Sequence, residues 1–92
     1  ENTQVGDKTL IDALEPAVYA FKREAQRGGS LLEACIEATK AARAGCDSTV
    51  EMIAKKGRAS YLGERSKGHR DAGAYGIVVI CEAIESCVRD NF

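Results

Sequence analysis

The stretch from Lys55 to Ala74 holds the residues best suited to bind a phosphorylated ligand. Five of the nine glycines fall between Gly57 and Gly76, and glycine lets the backbone approach a ligand closely. Six of the 13 basic residues also lie in this stretch, and arginine presents a fixed fork of donors that matches phosphate. They are Lys55, Lys56, Arg58, Arg65, Lys67 and Arg70. Because long loops in compact domains are usually functional, residues 55–74 are interpreted as a phosphate-binding loop.

A second candidate is the segment Gly6-Asp7-Lys8-Thr9. It places a glycine, a cation and a hydroxyl before a helix, where free N–H groups and the helix dipole favour anions. The spacing differs from that of a P-loop, GxxxxGK[ST]. The alternative is that Asp7, or Thr9 paired with Asp12, caps the helix. The segment by itself leaves both interpretations open.

Three helices must position these residues. The first is predicted to begin near Asp7 to Thr9 and to end at Gly28-Gly29, with Pro16 either kinking it or separating its first turn. The second begins with Ser30 as N-cap and Glu33 at N3 and is predicted to run to Lys56. Within it, Gly45 marks either a bend or a tight contact.

The third helix is predicted to start near Asp71 or Gly73 and to run to about Asp90. Its inward face is expected to comprise Ile77, Ile80, Cys81, Ile84 and Val88. At its start, Asp71 could cap the helix, contact a ligand hydroxyl, or do both. His69, just before it, is interpreted as structural or solvated. Since no segment alternates apolar and polar residues, the chain is predicted to be all-α.

Composition excludes several classes of function. The formal charge is −1, from 13 basic and 14 acidic residues, which argues against a basic nucleic-acid module or a polybasic membrane anchor. No apolar run approaches the roughly 18 to 20 residues of a membrane span. The four cysteines form no CxxC pair and are interpreted as buried free thiols, which predicts a cytoplasmic protein without a metal site. The absent initiator methionine suggests a piece of a longer chain.

Taken together, the two segments resemble a known family. Gly6-Asp7-Lys8-Thr9-Leu10, the block Lys56-Gly57-Arg58-Ala59-Ser60-Tyr61-Leu62-Gly63-Glu64-Arg65-Ser66, and Gly68-His69-Arg70-Asp71-Ala72-Gly73-Ala74 resemble the nucleotide-binding L domain of dihydroxyacetone kinases. The resemblance covers residues 1–92 as a single domain, the C-terminal part of an L domain. It implies an antiparallel helical bundle that forms part of an eight-helix barrel holding ADP or ATP at one end.

The resemblance also implies roles for individual residues. Leu10 stands where the family usually has methionine beside the nucleotide base. Arg58 matches an arginine near the phosphates, where it can offset charge during phosphoryl transfer; its alternative is a cation at a helix end. Asp71, Ala72 and Gly73 match an Asp-Pro-Gly turn that lines the nucleotide. Here Ala72 replaces the proline, so that turn lacks a fixed φ angle.

The remaining implications concern the rest of the enzyme. Phosphoryl transfer would go to dihydroxyacetone or a related short keto-sugar held on a separate K domain. The Mg²⁺ ions would be held by aspartates of a GDxDH-like motif in the N-terminal part of the L domain, so no metal ligand is assigned here. The phosphoryl donor would be free ATP or, in the other branch, a phosphotransferase-system protein that rephosphorylates ADP. This fragment alone is expected to be inactive; the alternative is a non-catalytic helical interaction module.

Overall fold

The computed structural model describes residues 3–54 and 67–92, and both ranges are built from helices without strands. α1 spans Ile11–Gln26, α2 spans Leu31–Ser48, a short 3-10 helix follows at Thr49–Glu51, and α3 spans Ala72–Asn91. The all-α prediction is therefore confirmed. Within those ranges no helix combines the length and hydropathy that a bilayer crossing requires.

Consecutive helices run antiparallel. The backbone of Asp12, at the start of α1, touches Gly45 near the end of α2. On the other side of α2, Arg43 forms an ion pair of 2.9 Å with Glu82 of α3, while Thr49 lies beside Asp71 at the α3 start. The N-termini of α1 and α3 and the C-terminus of α2 therefore share one end of the bundle.

The core between the helices consists mainly of small side chains. Its buried members are Ala13, Ala17, Ala38, Ala42, Cys46, Ala74 and Val78, with Phe21, Ile77 and Cys81 packed against them. Small side chains let helix axes approach closely, so α1 and α2 pack along most of their length.

The predicted inward face of α3 is partly wrong. Ile77, Cys81 and Val88 are at least half-buried, but Ile80 and Ile84 are 54% and 52% exposed. The physical reason is that α3 contacts chiefly α2, so only the stripe facing that helix is covered. On α1, Val18 is likewise 48% exposed while the alanines beside it are buried.

Pro16 lies inside α1 without ending it. Proline has no N–H, so the carbonyl of Asp12, four residues earlier, loses its usual helical donor. A Cβ atom built on Gly45 would overlap this same carbonyl oxygen. Gly45 therefore provides the tight contact that was one of its two predicted roles: its missing side chain leaves room for the Asp12 carbonyl against α2.

The second helix is shorter than predicted. Its start is confirmed, because the Ser30 hydroxyl and the Glu33 carboxylate form a reciprocal capping box. It ends at Ser48 instead of Lys56. There the hydroxyls of Ser48 and Thr49 donate to the carbonyls of Gly45 and Cys46, both at 2.6 Å, and the chain tightens into the 3-10 turn.

Candidate functional site

The candidate site lies at the end of the bundle where α1 and α3 begin. Helix N-termini carry free N–H groups and partial positive charge, and here two of them lie side by side. Leu10, directly before α1, is adjacent to Gly73 in the first turn of α3. The structure therefore brings together two predicted site segments that are more than 60 residues apart in the sequence.

Asp71 forms the entrance of α3. Its carboxylate accepts a hydrogen bond of 3.0 Å from the Ala74 N–H, which confirms it as the N-cap. Its own N–H donates to the Thr49 hydroxyl at 2.8 Å. Thr49 is fully buried, and its hydroxyl also donates to the Cys46 carbonyl. The carboxylate of Asp71 is thus fixed to the first turn of α3, and its backbone N–H is fixed to the end of α2.

Leu10 packs closely against the α3 turn. Leu10 is 41% exposed although it is apolar. A methyl group built on Gly73 would lie 3.3 Å from the Leu10 Cβ and 3.2 Å from a carboxylate oxygen of Asp71, and both are crowded distances. Glycine therefore lets Leu10 lie directly against this turn. Ala72 is the first residue of α3 and is exposed beside it.

The Asp12 carboxylate takes the position of the anion that the segment Gly6-Asp7-Lys8-Thr9 was predicted to bind. One carboxylate oxygen accepts the Gly6 N–H at 2.6 Å, and the other accepts the Thr9 N–H at 2.9 Å. The Thr9 hydroxyl in turn accepts the Ile11 N–H at 3.2 Å. The chain's own carboxylate therefore binds the free donors, and Thr9 pairs with Asp12, although α1 begins with Leu10 as its N-cap and without a side-chain cap hydrogen bond. Asp7 instead accepts the Gln4 N–H, so it does not cap α1.

The Lys8 side chain is buried in the protein and its ammonium group contacts the backbone. It is only 3% exposed, and its ammonium group donates to the backbone carbonyls of Thr49 and His69. The His69 side chain is exposed and only its carbonyl takes part in this contact. The ammonium thus lies at the C-terminal end of α2, where a cation interacts favourably with the helix dipole.

The described part of the predicted basic loop is its last portion, from Lys67 onward. The Arg70 guanidinium lies over the Tyr75 ring at 4.0 Å from the centroid, a cation–π contact at the α3 entrance. Arg58 and the rest of 55–66 lie outside the described residues.

The cysteines are free thiols in helices, as predicted, but only two are buried. Burial raises the pKa of the Cys35 and Cys46 thiols. Cys81 is half-buried and Cys87 is exposed, because within residues 3–54 and 67–92 α3 packs chiefly against α2. Across residues 3–54 and 67–92, no group of three or more His, Cys, Asp or Glu side chains could hold a metal ion.

Two polar residues that organise this end of the bundle were not identified as such from the sequence. Thr49 was placed inside the second helix, and Lys8 was considered only as a cation for a ligand. A local signal existed for Thr49, because adjacent Ser48 and Thr49 hydroxyls compete for helix carbonyls. None existed for Lys8, whose partners lie 41 and 61 residues away.

Comparisons with known proteins identify the family of the chain. The model of the DAK2 domain family matches residues 2–86. The ADP-binding subunit DhaL of the PEP-dependent dihydroxyacetone kinase of Escherichia coli is 36% identical over 85 residues, which cover 92% of this chain and 40% of that subunit. L-erythrulose kinase of Pectobacterium atrosepticum is 38% identical, over 94% of this chain and 15% of the enzyme.

A third relative gives a similar match. The triokinase/FMN cyclase of Mus musculus is 37% identical over 86% of this chain, which corresponds to 14% of that enzyme. The chain thus spans two-fifths or less of the length of these relatives.

Proposed function

Since the chain belongs to the DAK2 domain family, we propose that it is the nucleotide-binding part of a kinase that phosphorylates dihydroxyacetone or a related short keto-sugar. The observation that carries the proposal is the close packing of Leu10 against the Asp71–Gly73 turn, which glycine permits at the joint N-termini of α1 and α3. Relatives matched over most of this chain are named as an ADP-binding subunit and as sugar kinases.

The surface formed by Leu10 and this turn suits ADP or ATP in two respects. The exposed apolar surface of Leu10 offers packing for a flat base. The N-terminal turn of α3 offers backbone donors and a positive dipole to negatively charged groups. Leu10, Asp71, Ala72 and Gly73 are therefore proposed as nucleotide-binding residues.

Arg58 is proposed as the catalytic residue of this part of the enzyme. Its guanidinium would neutralise charge that spreads over the phosphate oxygens during transfer, a task that arginine performs through fixed, paired donors. Mg²⁺ would supply further neutralisation. Its ligands are proposed, from the family resemblance, to come from an aspartate-bearing N-terminal part of the L domain.

The proposal includes partners. The keto-sugar would be bound by a K domain or subunit, and the phosphoryl donor would be ATP or a phosphotransferase-system protein acting on bound ADP. We propose that the enzyme works in the cytoplasm, since free cysteines suit a reducing compartment.

A second candidate function is a helical interaction module that no longer binds nucleotide. The exposed apolar side chains of Val18, Ile80 and Ile84 favour it, because they offer a surface to another polypeptide. The same surface is compatible with the kinase if the remaining part of an L domain covers it. Only nucleotide binding separates the two.

Calorimetric titration of Mg-ADP tests the proposal. The titration is run on the chain alone and on the chain mixed with a polypeptide that supplies the aspartate-bearing part of an L domain. Arg58→Ala is compared with Lys67→Ala, which removes one positive charge from the same loop at a position without a proposed role. We expect binding in the mixture that weakens at least tenfold with Arg58→Ala and less than twofold with Lys67→Ala. Absence of binding in a mixture shown to have assembled would favour the interaction module.

A further inference from the structure

Lys8 combines three features that are unusual for a lysine. It is 97% buried, given an exposure of 3%. Its φ angle of 60° lies in the left-handed region, which non-glycine residues seldom adopt. Its ammonium group contacts two backbone carbonyls that belong to different segments of the chain. Buried lysines are rare unless they have a defined partner, so this contact has a structural purpose.

The two carbonyls identify that purpose. Thr49 follows the last residue of α2, whereas His69 lies two residues before the Asp71 cap of α3. One ammonium group therefore joins the start of α1, the end of α2 and the segment that leads into α3. A charged donor strengthens a hydrogen bond relative to a neutral one, and burial keeps water from competing for the carbonyls.

Two neighbouring hydrogen bonds hold the same segment, residues 68–71. The Thr49 hydroxyl accepts the Asp71 N–H, and the Gly68 N–H donates to the Val50 carbonyl at 2.6 Å. Residues 68–71 are therefore held against the end of α2 by three sets of contacts. Of these, only the ammonium of Lys8 also reaches from the α1 side, where Leu10 stands two residues further along the chain.

We propose that Lys8 is a positioning residue that sets the distance between Leu10 and the Asp71–Gly73 turn, and thereby holds the two parts of the proposed nucleotide site in place against each other. This inference rests on the proposed function for its link to nucleotide. It assigns Lys8 no contact with the ligand: the residue acts through the backbone of the two segments that its ammonium joins.

Amide hydrogen exchange measured by NMR on the labelled chain tests the positioning directly, without nucleotide. Lys8→Met removes the ammonium and keeps the length of the side chain. Ser30→Ala is the matched control, because it removes a cap at the opposite end of α2. Lys8→Met should accelerate exchange of the Asp71 and Ala74 amides at least tenfold relative to amides in the middle of α2. Ser30→Ala should leave that ratio unchanged.

Nucleotide affinity tests the consequence. In the sample in which the wild-type chain binds Mg-ADP, Lys8→Met should raise Kd about tenfold and Ser30→Ala less than twofold. Equal exchange ratios for the two variants would overturn the inference, whatever happens to ADP binding. Accelerated exchange with unchanged Kd would also overturn it, since Lys8 would then stabilise the fold without positioning the site.

Two further arms keep the outcomes separate. If Lys8→Met does not fold, Lys8→Gln replaces it. Its uncharged side chain is one atom shorter and so cannot join both carbonyls as the ammonium does, and the same exchange and affinity criteria apply. If the wild-type chain binds no nucleotide in any sample, the proposed function falls. The exchange data then decide alone whether Lys8 holds the turn.

Discussion

Replacement of Thr49 by valine should weaken the joint between α2 and α3 without creating a cavity. Thr49 is fully buried, and its hydroxyl accepts the Asp71 N–H at 2.8 Å and donates to the Cys46 carbonyl at 2.6 Å. Valine has nearly the same shape but cannot accept a hydrogen bond. The Asp71 N–H would therefore lose its partner, and an unsatisfied buried donor costs about 1–3 kcal/mol.

Thermal and urea unfolding followed by circular dichroism measure this loss. For a domain of this size, about 2 kcal/mol corresponds to a fall in Tm of roughly 8–16 °C. Thr49→Ser is the control, because it keeps the hydroxyl and removes one methyl group, worth about 1 kcal/mol. We expect Thr49→Val to be less stable than Thr49→Ser by about 1 kcal/mol.

Amide exchange at Asp71 separates this mechanism from a general packing defect. The Asp71 amide should exchange faster in Thr49→Val than in Thr49→Ser when each is compared with its own mid-helix amides. The reasoning is refuted if Thr49→Val is as stable as the wild type, or if both variants protect the Asp71 amide equally. Either result would mean that the Thr49 hydroxyl does not hold the α3 cap.

Three other predictions test the packing, the turn and the thiols. Gly45→Ala should destabilise the fold by about 3 kcal/mol, because the added Cβ would overlap the backbone of α1. Gly76→Ala is the control: its Cβ would meet open space, so the variant should stabilise α3 by up to about 1 kcal/mol. Urea unfolding compares the two variants, and equal effects would contradict the tight contact at Gly45. Ala72→Pro should raise stability by about 0.4–1 kcal/mol, because proline fits the first position of a helix; a lower Tm would contradict that placement. Iodoacetamide should alkylate exposed Cys87 well before buried Cys46, whose pKa is raised by burial; equal rates in peptide mass spectrometry would argue against the packing of α2.

The sequence predicted those features of the fold that depend on neighbouring residues. The capping box of Ser30 and Glu33 spans one helical turn, and the Asp71 cap lies directly before the helix that it starts. Such contacts form between residues three positions apart, so the local pattern contains all the necessary information. The family resemblance implied only that Leu10 and Gly73 each line the nucleotide, and no local rule predicts that residues so far apart lie against each other.

Features that depend on distant segments were predicted poorly. Ile80 and Ile84 belong to the apolar stripe of α3, and their periodicity indicates which residues share a face but not which helix covers it. The early end of α2 at Ser48 had a local cause in the two hydroxyls that bond back to helix carbonyls. The sequence nevertheless predicts a longer helix, because good helix formers continue to Lys56.

Pro16 and Gly45 show why single positions were ambiguous when considered alone. Proline in a helix predicts a kink, and glycine in a helix predicts a bend or a close contact. In the structure each explains the other, because the proline frees the Asp12 carbonyl and the glycine makes room for it on α2. The sequence contained both residues but no indication that they meet.

The core of the bundle and its site end are stabilised by different kinds of interaction, and this difference allows effects on function to be separated from effects on stability. Along the helices, an alanine-rich core contributes burial that is insensitive to direction. At the site end, Lys8, Thr49 and Asp71 contribute hydrogen bonds whose geometry is specific. Loss of a core methyl group should therefore lower stability with little change where Leu10 meets the Asp71–Gly73 turn, whereas loss of a polar contact should alter that arrangement itself. Core variants and site-end variants that lower Tm by the same amount can therefore be compared. The site-end variants should lose more nucleotide affinity than the core variants.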